Sequence, residues 1–417
     1  MGLVKAIWRK LTHTKALEQS SGKLETVFFE SVYRVAYITG LSSSDRNIPY
    51  LLYSNTVKLM IILLMCGEVW YGCTETSGLD EIAACINATV IQFITIYRYK
   101  NMMDHKDLFK KLATSMKSPN FDISTTKRKK LVDFWAQRNE RYLKLLLALG
   151  NCTLVAWYVY PLLDELDYNL IVGIRLPFYY KTPGRYPLAY MAVVVAFTYI
   201  SHFVMVTDLM MQAHLMHLLC QFTVLADCFE NILTDCNAEF KGKFCLHRNF
   251  ANKYTKRLGN LVEQHKLILS HTMNMRDTLS GPMLAQLAAS GTLICFVGYQ
   301  ATTSFAKFMM SFLFLGYNVF ELYIICRWCE ELTIQGTRIG EAVYCSGWEC
   351  GVSTLPGVRS TIMFVIARAN KPLVLTAGGM YDLSLTSYTT VSANHTLNLK
   401  TGNVLAVLGI RWSCPLE

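Results

Sequence analysis

The sequence predicts an all-α membrane protein: seven transmembrane helices, a cytosolic N-terminus, an extracellular C-terminus and a helical bundle on the cytosolic side. Three observations predict it. Mean hydropathy over the 417 residues is positive, at +0.26, and only 17% of residues are charged, a balance foreign to water-soluble domains. Six stretches, at about 48–72, 79–97, 142–163, 187–212, 282–305 and 308–327, approach the roughly 20 apolar residues that cross a hydrocarbon core of about 30 Å. Of the 40 lysines and arginines, 32 fall in segments 1–47, 98–141, 209–280 and 327–375, and only 6 in the intervening segments and after 397. Basic residues in short loops stay in the cytosol, so this bias sets the N-terminus inside. With a further crossing at about 376–397, the C-terminus is outside.

Each element follows from its residues. The opening "MGLVKAIWRKLTHTKALEQS" lacks the apolar core of a signal peptide, and Ala6 stands where a myristoylation signal has Ser or Thr, so 1–47 reads as a cytosolic segment. Lys58 and Lys144, in the first and third spans, lie toward inner ends, where their long stems reach the interface. Trp70, Tyr71, Trp157, Tyr158, Tyr160 and Tyr186 fall at predicted outer ends, as interfacial aromatics do. The run "TTKRKK", 125–130, reads as a solvated cytosolic face beside anionic membrane lipid and gives no case for a nucleic-acid partner.

The fourth span runs on through 210–233 without a Gly or Pro to stop it. In "KRLGNLVEQHKLILSHTMNMRDTL", Leu258, Leu261, Val262, His265, Ile268, Leu269, Thr272 and Leu279 recur at helical spacing and need a partner surface. These cytosolic extensions, about 210–280, together with 328–375, predict the bundle. Outside, the longest loop, 164–187, carries Pro177, Pro183 and Pro187 and is rigid enough to cover what lies beneath it.

Nothing in the chain points to catalysis. His214-x-x-His217 and Cys326-x-x-Cys329 lack the second pair that completes a tetrahedral metal site. There is no P-loop, dinucleotide glycine pattern or nucleophile elbow. We therefore expect no enzyme, no metal and no cofactor. Cys66, Cys85, Cys152, Cys295 and Cys326 lie inside spans and read as buried thiols packing as small apolar groups. The outer ends of helices two to six gather apolar and aromatic residues with few polar groups: Asn87, Ile91, Trp157, Tyr158, Tyr190, Val194, Phe197, Tyr299 and Phe312. Such a lining suits a small, largely apolar ligand oriented by one or two hydroxyls or amides, with ordinary helix packing as the competing reading for each residue.

The stretch "NKPLVLTAGGMYDLSLTSYTTV", 370–391, resembles the entry to the last helix of the insect odorant receptors. Upstream, "ICFVGYQ" (294–300), "LYIICRWCEELTIQGTRIGEAVYCSGWE" (322–349) and "IRLPFYYKTPGRYPLAY" (174–190) resemble that family's fifth helix, sixth helix with its linker, and second outer loop. The resemblance implies a receptor for small volatile odorants. It would sit in the plasma membrane of olfactory neurons and assemble with a shared co-receptor into a four-subunit ligand-gated cation channel. It also implies that 328–375 forms linker and anchor helix, and that 376–398 lines the pore. Lacking the co-receptor's long insertion between helices four and five, the chain resembles a tuning subunit.

"LSLTSYTTVSANHTLNLK", 383–400, is too polar to face lipid but suits a helix around water, with Thr386, Thr389 and Thr390 on one face as the pore lining. After Val391 the chain departs from the family's ending, so its gate residues do not carry over. The tail 399–417 reflects either a mispredicted last exon or a variant with altered gating. A gustatory receptor would share the architecture, but its Thr-Tyr-x5-Gln-Phe ending is absent. A transporter would show internal repeats and broken helices, and a G-protein-coupled receptor the reverse orientation. An N-terminal epitope tag should be reached by antibody only after cells are permeabilised; labelling of intact cells would overturn the orientation.

Overall fold

The fold is organised by helices longer than a membrane is thick. The structure, a computed structural model, describes residues 9–20, 24–75, 79–163, 168–237, 248–303, 305–349 and 352–389. After α1 (Lys15–Ser20) and α2 (Leu24–Ile38), the six apolar stretches fall in order in α3 (Ile48–Thr74), α4 (Leu79–Asp104), α6 (Thr126–Leu163), α7 (Tyr186–Glu230), α9 (Arg248–Thr303) and α10 (Phe305–Tyr344). Shorter helices α5 (Lys106–Thr114), α8 (Ile232–Asn237) and α11 (Val358–Ala369) lie between and after them. Among the described residues α3, Thr126–Leu162 of α6, α7 and Phe312–Tyr344 of α10 are each long and apolar enough to cross a membrane. Most of the seventh predicted span, and the tail, lie outside the described residues.

Helix α7 is the pillar. Its 45 residues rise about 68 Å at 1.5 Å each, and every residue from Met211 to Phe229 is buried. Around it pack α2, α6, α9 and α10. The amphipathic face predicted on 258–279 is the face α9 buries: Leu258, Leu261, His265, Ile268, Leu269, Thr272 and Leu279 are all inside, and Val262 is half-buried. The basic end of the molecule is therefore a packed helical bundle continuous with the spans.

The basic run departs from its predicted solvated state. Helical periodicity turns one of its residues inward. Arg128 is fully buried and donates through Nε to Asp227 (2.9 Å), through Nη1 to Asp122 (2.6 Å) and through Nη2 to Asp235 (2.5 Å). Arg257 also reaches Asp122, and Lys127 pairs with Asp227 at 2.7 Å. The cysteine expectation holds for Cys326, which is buried, but Cys66 and Cys152 are exposed on the outer surface of the bundle. An apolar span contains both core-facing and lipid-facing positions, and residue type alone does not separate them.

Pro282 falls inside α9. It lacks the N–H that would bond the Thr278 carbonyl, and the side-chain amide of Asn101 on α4 takes that carbonyl instead. One turn's edge away, the Ser280 carbonyl accepts Gly378 N at 2.9 Å. Gly378 belongs to a hairpin of β1 (Thr376–Ala377) and β2 (Tyr381–Asp382), turned by Gly378 and Gly379 at φ 63° and 71°. A Cβ on Gly378 would meet Leu284 at 2.5 Å, so the close approach requires glycine. The hairpin launches the helical segment 385–389, whose first amide, Leu385 N, bonds Glu330 Oε2 of α10 at 3.3 Å. Tyr388 meets Tyr323 edge-on at 5.7 Å.

At the opposite end the long loop folds down as predicted for a cover. Ile171 and Ile174 are buried. Arg175 bonds Gly67 O of α3 through its backbone N–H (3.1 Å), pairs with Glu75 (3.3 Å) and lies over the Trp70 ring at 5.0 Å.

Arg128→Ala leaves three largely buried aspartates facing one another and should cost about 3–5 kcal/mol, read as a lower Tm of the detergent-solubilised receptor. The histidine pair gives a pH signature. His214 and His217, packed among Phe28, Phe29 and Phe109, are held by burial at about 4 and about 3. The unfolded chain takes up those protons near pH 6.5. Their contribution is thus intact above about 6.5 and lost as pH falls toward the folded values. Tm should be flat from pH 7 to 8 and fall below 6.5, less steeply in His217→Leu.

Candidate functional site

Four helices turn residues at i, i+3, i+4 and i+7 spacing toward one point at mid-span. Helix α4 contributes Ala88, Ile91 and Gln92; α6 contributes Gly150, Thr153, Leu154 and Trp157; α7 contributes Phe197, Ser201 and Met205; α10 contributes Phe314, Tyr317 and Asn318. They enclose about 80 Å³ open to the centre of a water-sized sphere. Trp157 stacks on Phe197 (centroids 5.4 Å, 28° between planes) and meets Phe314 edge-on at 5.8 Å. Gly150 makes the room: a Cβ there would lie 2.5 Å from Met205 Cε.

Of the residues predicted to meet a ligand, Ile91, Trp157 and Phe197 come together on this wall. Tyr158 and Tyr190 form a tie toward the loop end, where Tyr190 donates to the Tyr158 carbonyl at 2.5 Å and the Tyr158 and Thr198 hydroxyls are 2.7 Å apart. Val194 packs in the same layer, half-buried, its carbonyl accepting Thr198 Oγ1 at 2.6 Å. Phe312 is 52% exposed on the outer surface. The side chains of Asn87 and Tyr299 lie outside the described residues. Thr386 and Thr389 stand exposed on the segment 385–389, and Thr390 is outside the described residues. Sequence reasoning missed the polar lining, Gln92, Thr153, Ser201, Tyr317 and Asn318. Its signal was present as isolated polar residues at helical spacing inside apolar spans.

Toward the basic end the cavity wall runs into an ionic cluster, also missed. Arg98 of α4, 1% exposed, donates through Nη1 to Asp208 of α7 (2.5 Å) and Glu321 of α10 (3.1 Å). Its Nη2 reaches Gln286 of α9 at 3.4 Å, and Gln286 bonds Glu321 at 3.3 Å. Tyr317, whose ring lines the cavity, donates its hydroxyl to the second oxygen of Asp208 at 2.7 Å. One buried cation thus faces two carboxylates from different helices, and Tyr317 belongs to cluster and cavity together.

Membrane-length helices around a small apolar cavity with a polar rim define the class: a membrane receptor for small molecules. Among the described residues, no group of three or more His, Cys, Asp or Glu is placed to hold a metal ion. Residues 79–394 match the 7tm Odorant receptor family, and the chain belongs to it. It is 22% identical to Odorant receptor 13a of Drosophila melanogaster over 420 residues, covering 93% of this chain and 91% of that one. To Odorant receptor 67a of the same fly it is 30% identical over 149 residues, 35% of this chain and 36% of that one. In fold it is similar to the olfactory receptor OR5 of Machilis hrabei, with a TM-score of 0.75 at 18% identity, covering 90% of this chain and 97% of that one. Against the same receptor in complex with eugenol the TM-score is 0.73 at 17% identity, covering 91% and 100%. The all-α, seven-span class read from the sequence is the family's.

Arg98→Ala strands Asp208 and Glu321 at membrane depth, where an unpaired charge costs about 2.5 kcal/mol or more. Folded receptor should be lost from the cell surface. Arg98→Lys should not restore it, because an ammonium cannot bridge three acceptors in one plane.

Proposed function

We propose that this chain is the ligand-tuning subunit of an odorant-gated cation channel. It binds small volatile, mostly apolar molecules in the cavity around Trp157 and opens a pore formed with co-receptor subunits. The observation that carries this reading is the cavity itself: aromatic and enclosed, below a loop pinned to α3, in a member of the odorant receptor family. The eugenol complex of a receptor of the same fold supports a small-molecule site in this architecture. The alternating charge of the segments supports a cytosolic basic end, and the family supports the plasma membrane of olfactory neuron dendrites as the location.

The working steps follow from the contacts. Helix α10 lines the cavity with Phe314, Tyr317 and Asn318, and two turns further on carries Tyr323 and then Glu330, which hold Tyr388 and Leu385 at the start of the last helix. A ligand that fits better when α10 sits in its open position shifts the population by that difference in affinity and by no more. Thr386 and Thr389 then face the ion path, with Thr390 beyond them.

Whole-cell currents from cells expressing this chain with the co-receptor test the reading. Trp157→Ala should raise the half-maximal concentration of every active odorant at least about tenfold, close to 1.4 kcal/mol, at unchanged surface expression. Phe312→Ala, altering an outward-facing ring, should leave it unchanged. A silent Trp157→Ala, or equal effects of both, overturns the cavity as the binding site.

A further inference from the structure

The cavity's polar rim is not neutral in its hydrogen bonding. Most of its hydrogens are already committed. Thr153 Oγ1 donates to the Leu149 carbonyl (2.9 Å), Tyr317 Oη to Asp208 (2.7 Å) and Asn318 Nδ2 to the Phe314 carbonyl (2.9 Å). Gln92 is 4% exposed, lines the cavity, and its carbonyl oxygen Oε1 has no partner among the described residues. Behind it stands Glu68 of α3, 2% exposed, with no hydrogen bond of ordinary geometry to either carboxyl oxygen among the described residues. The side chain that acts on this carboxyl is the Gln92 amide. A carboxylate only accepts hydrogen bonds, so it draws the Gln92 NH₂ to itself and turns Oε1 away. Ser201 is the one lining hydroxyl among the described residues with no hydrogen bond of its own.

We propose that Gln92, oriented by the buried carboxyl of Glu68, makes this cavity select ligands that donate a hydrogen bond, namely alcohols and phenols on a small apolar frame, over the matching ethers and aldehydes. The inference rests on the reading of this cavity as the ligand site. A hydroxyl gives its hydrogen to Gln92 Oε1 and accepts from Ser201. An ether or aldehyde of the same shape still takes the Ser201 hydrogen but leaves the Gln92 acceptor buried and unpaired. A site built to bond a hydroxyl discriminates against the analogue lacking it, whereas an apolar wall discriminates by size alone. Glu68 is a positioning residue here, acting through Gln92 without touching the ligand.

The test applies matched sets to cells expressing the receptor and co-receptor: benzyl alcohol, benzyl methyl ether and benzaldehyde, and 1-octanol, heptyl methyl ether and octanal. In wild type, half-maximal concentrations for the ether and aldehyde should exceed that of the alcohol at least about tenfold. In Gln92→Met, similar in volume and without the acceptor, the ratio should fall toward one. Glu68→Gln places a donor where it can occupy Gln92 Oε1, and should lower the ratio while Gln92 itself is intact. Equal responses to alcohol and ether, silence to every alcohol, or a ratio that survives in Gln92→Met each overturn the proposal. Trp157→Ala separates it from the reading beneath it. If that variant shifts all ligands alike while the Gln92→Met ratio is unchanged, selection by Gln92 fails and the cavity stands. If it shifts none, the cavity reading fails.

Discussion

A guanidinium inside a membrane has to be paired, and the pairing of Arg98 with Asp208 and Glu321 is the constraint on which the spans depend. Unpaired, each of these groups opposes insertion. Together they tie α4, α7 and α10 at one depth, and Gln286 adds α9. Apolar packing between helices in lipid is weakly directional, because lipid tails offer much the same contacts as neighbouring side chains. The ionic cluster supplies the register that packing lacks. The cavity is open just above it because four helices fixed at that level present small or shaped residues one or two turns away, Gly150 and Ala88 beside Trp157 and Phe197.

The same economy of elements governs the basic end. Helices α6, α7, α9 and α10 do not stop at the membrane but continue into a packed bundle, where Arg128 repeats the device with Asp122, Asp227 and Asp235. Continuity has a geometric cost at Pro282, where the ladder of α9 opens. The freed Thr278 carbonyl is taken by Asn101 and the next one along by Gly378, so the break becomes the seat of the hairpin that precedes the last helix.

How much of this was legible in the sequence follows from what a sequence encodes locally. Spans, the amphipathic face of α9 and the run-on of α7 were readable, since each is a periodicity within one segment. Burial within a span was not: Cys66 and Phe312 look like core residues by type yet face outward. The run at 125–130 read as solvated, and only the distant aspartates that surround Arg128 reveal otherwise. Ile91, Trp157 and Phe197 were singled out for aromatic and apolar character, which the cavity shares with any helix interface. Its polar members went unread, because an isolated Gln or Asn in a span has meaning only beside Glu68 or across from another helix. The ionic cluster joins residues separated by 110 and 223 positions, a distance no local pattern bridges.

Helix α10 has a consequence for how such receptors diversify. Its cavity residues, ending at Asn318, and its Glu330 contact with the last helix lie on one rod about 18 Å apart. A rigid rod conveys rotation and translation without regard to what pushed it. Side chains at the input end can therefore be exchanged freely for new chemistries while the output end keeps the same two contacts, Tyr323 with Tyr388 and Glu330 with Leu385. Tuning and gating are separable along one helix, so a gene family built on this plan can enlarge its chemical vocabulary by substitution at a few positions without renegotiating its mechanism.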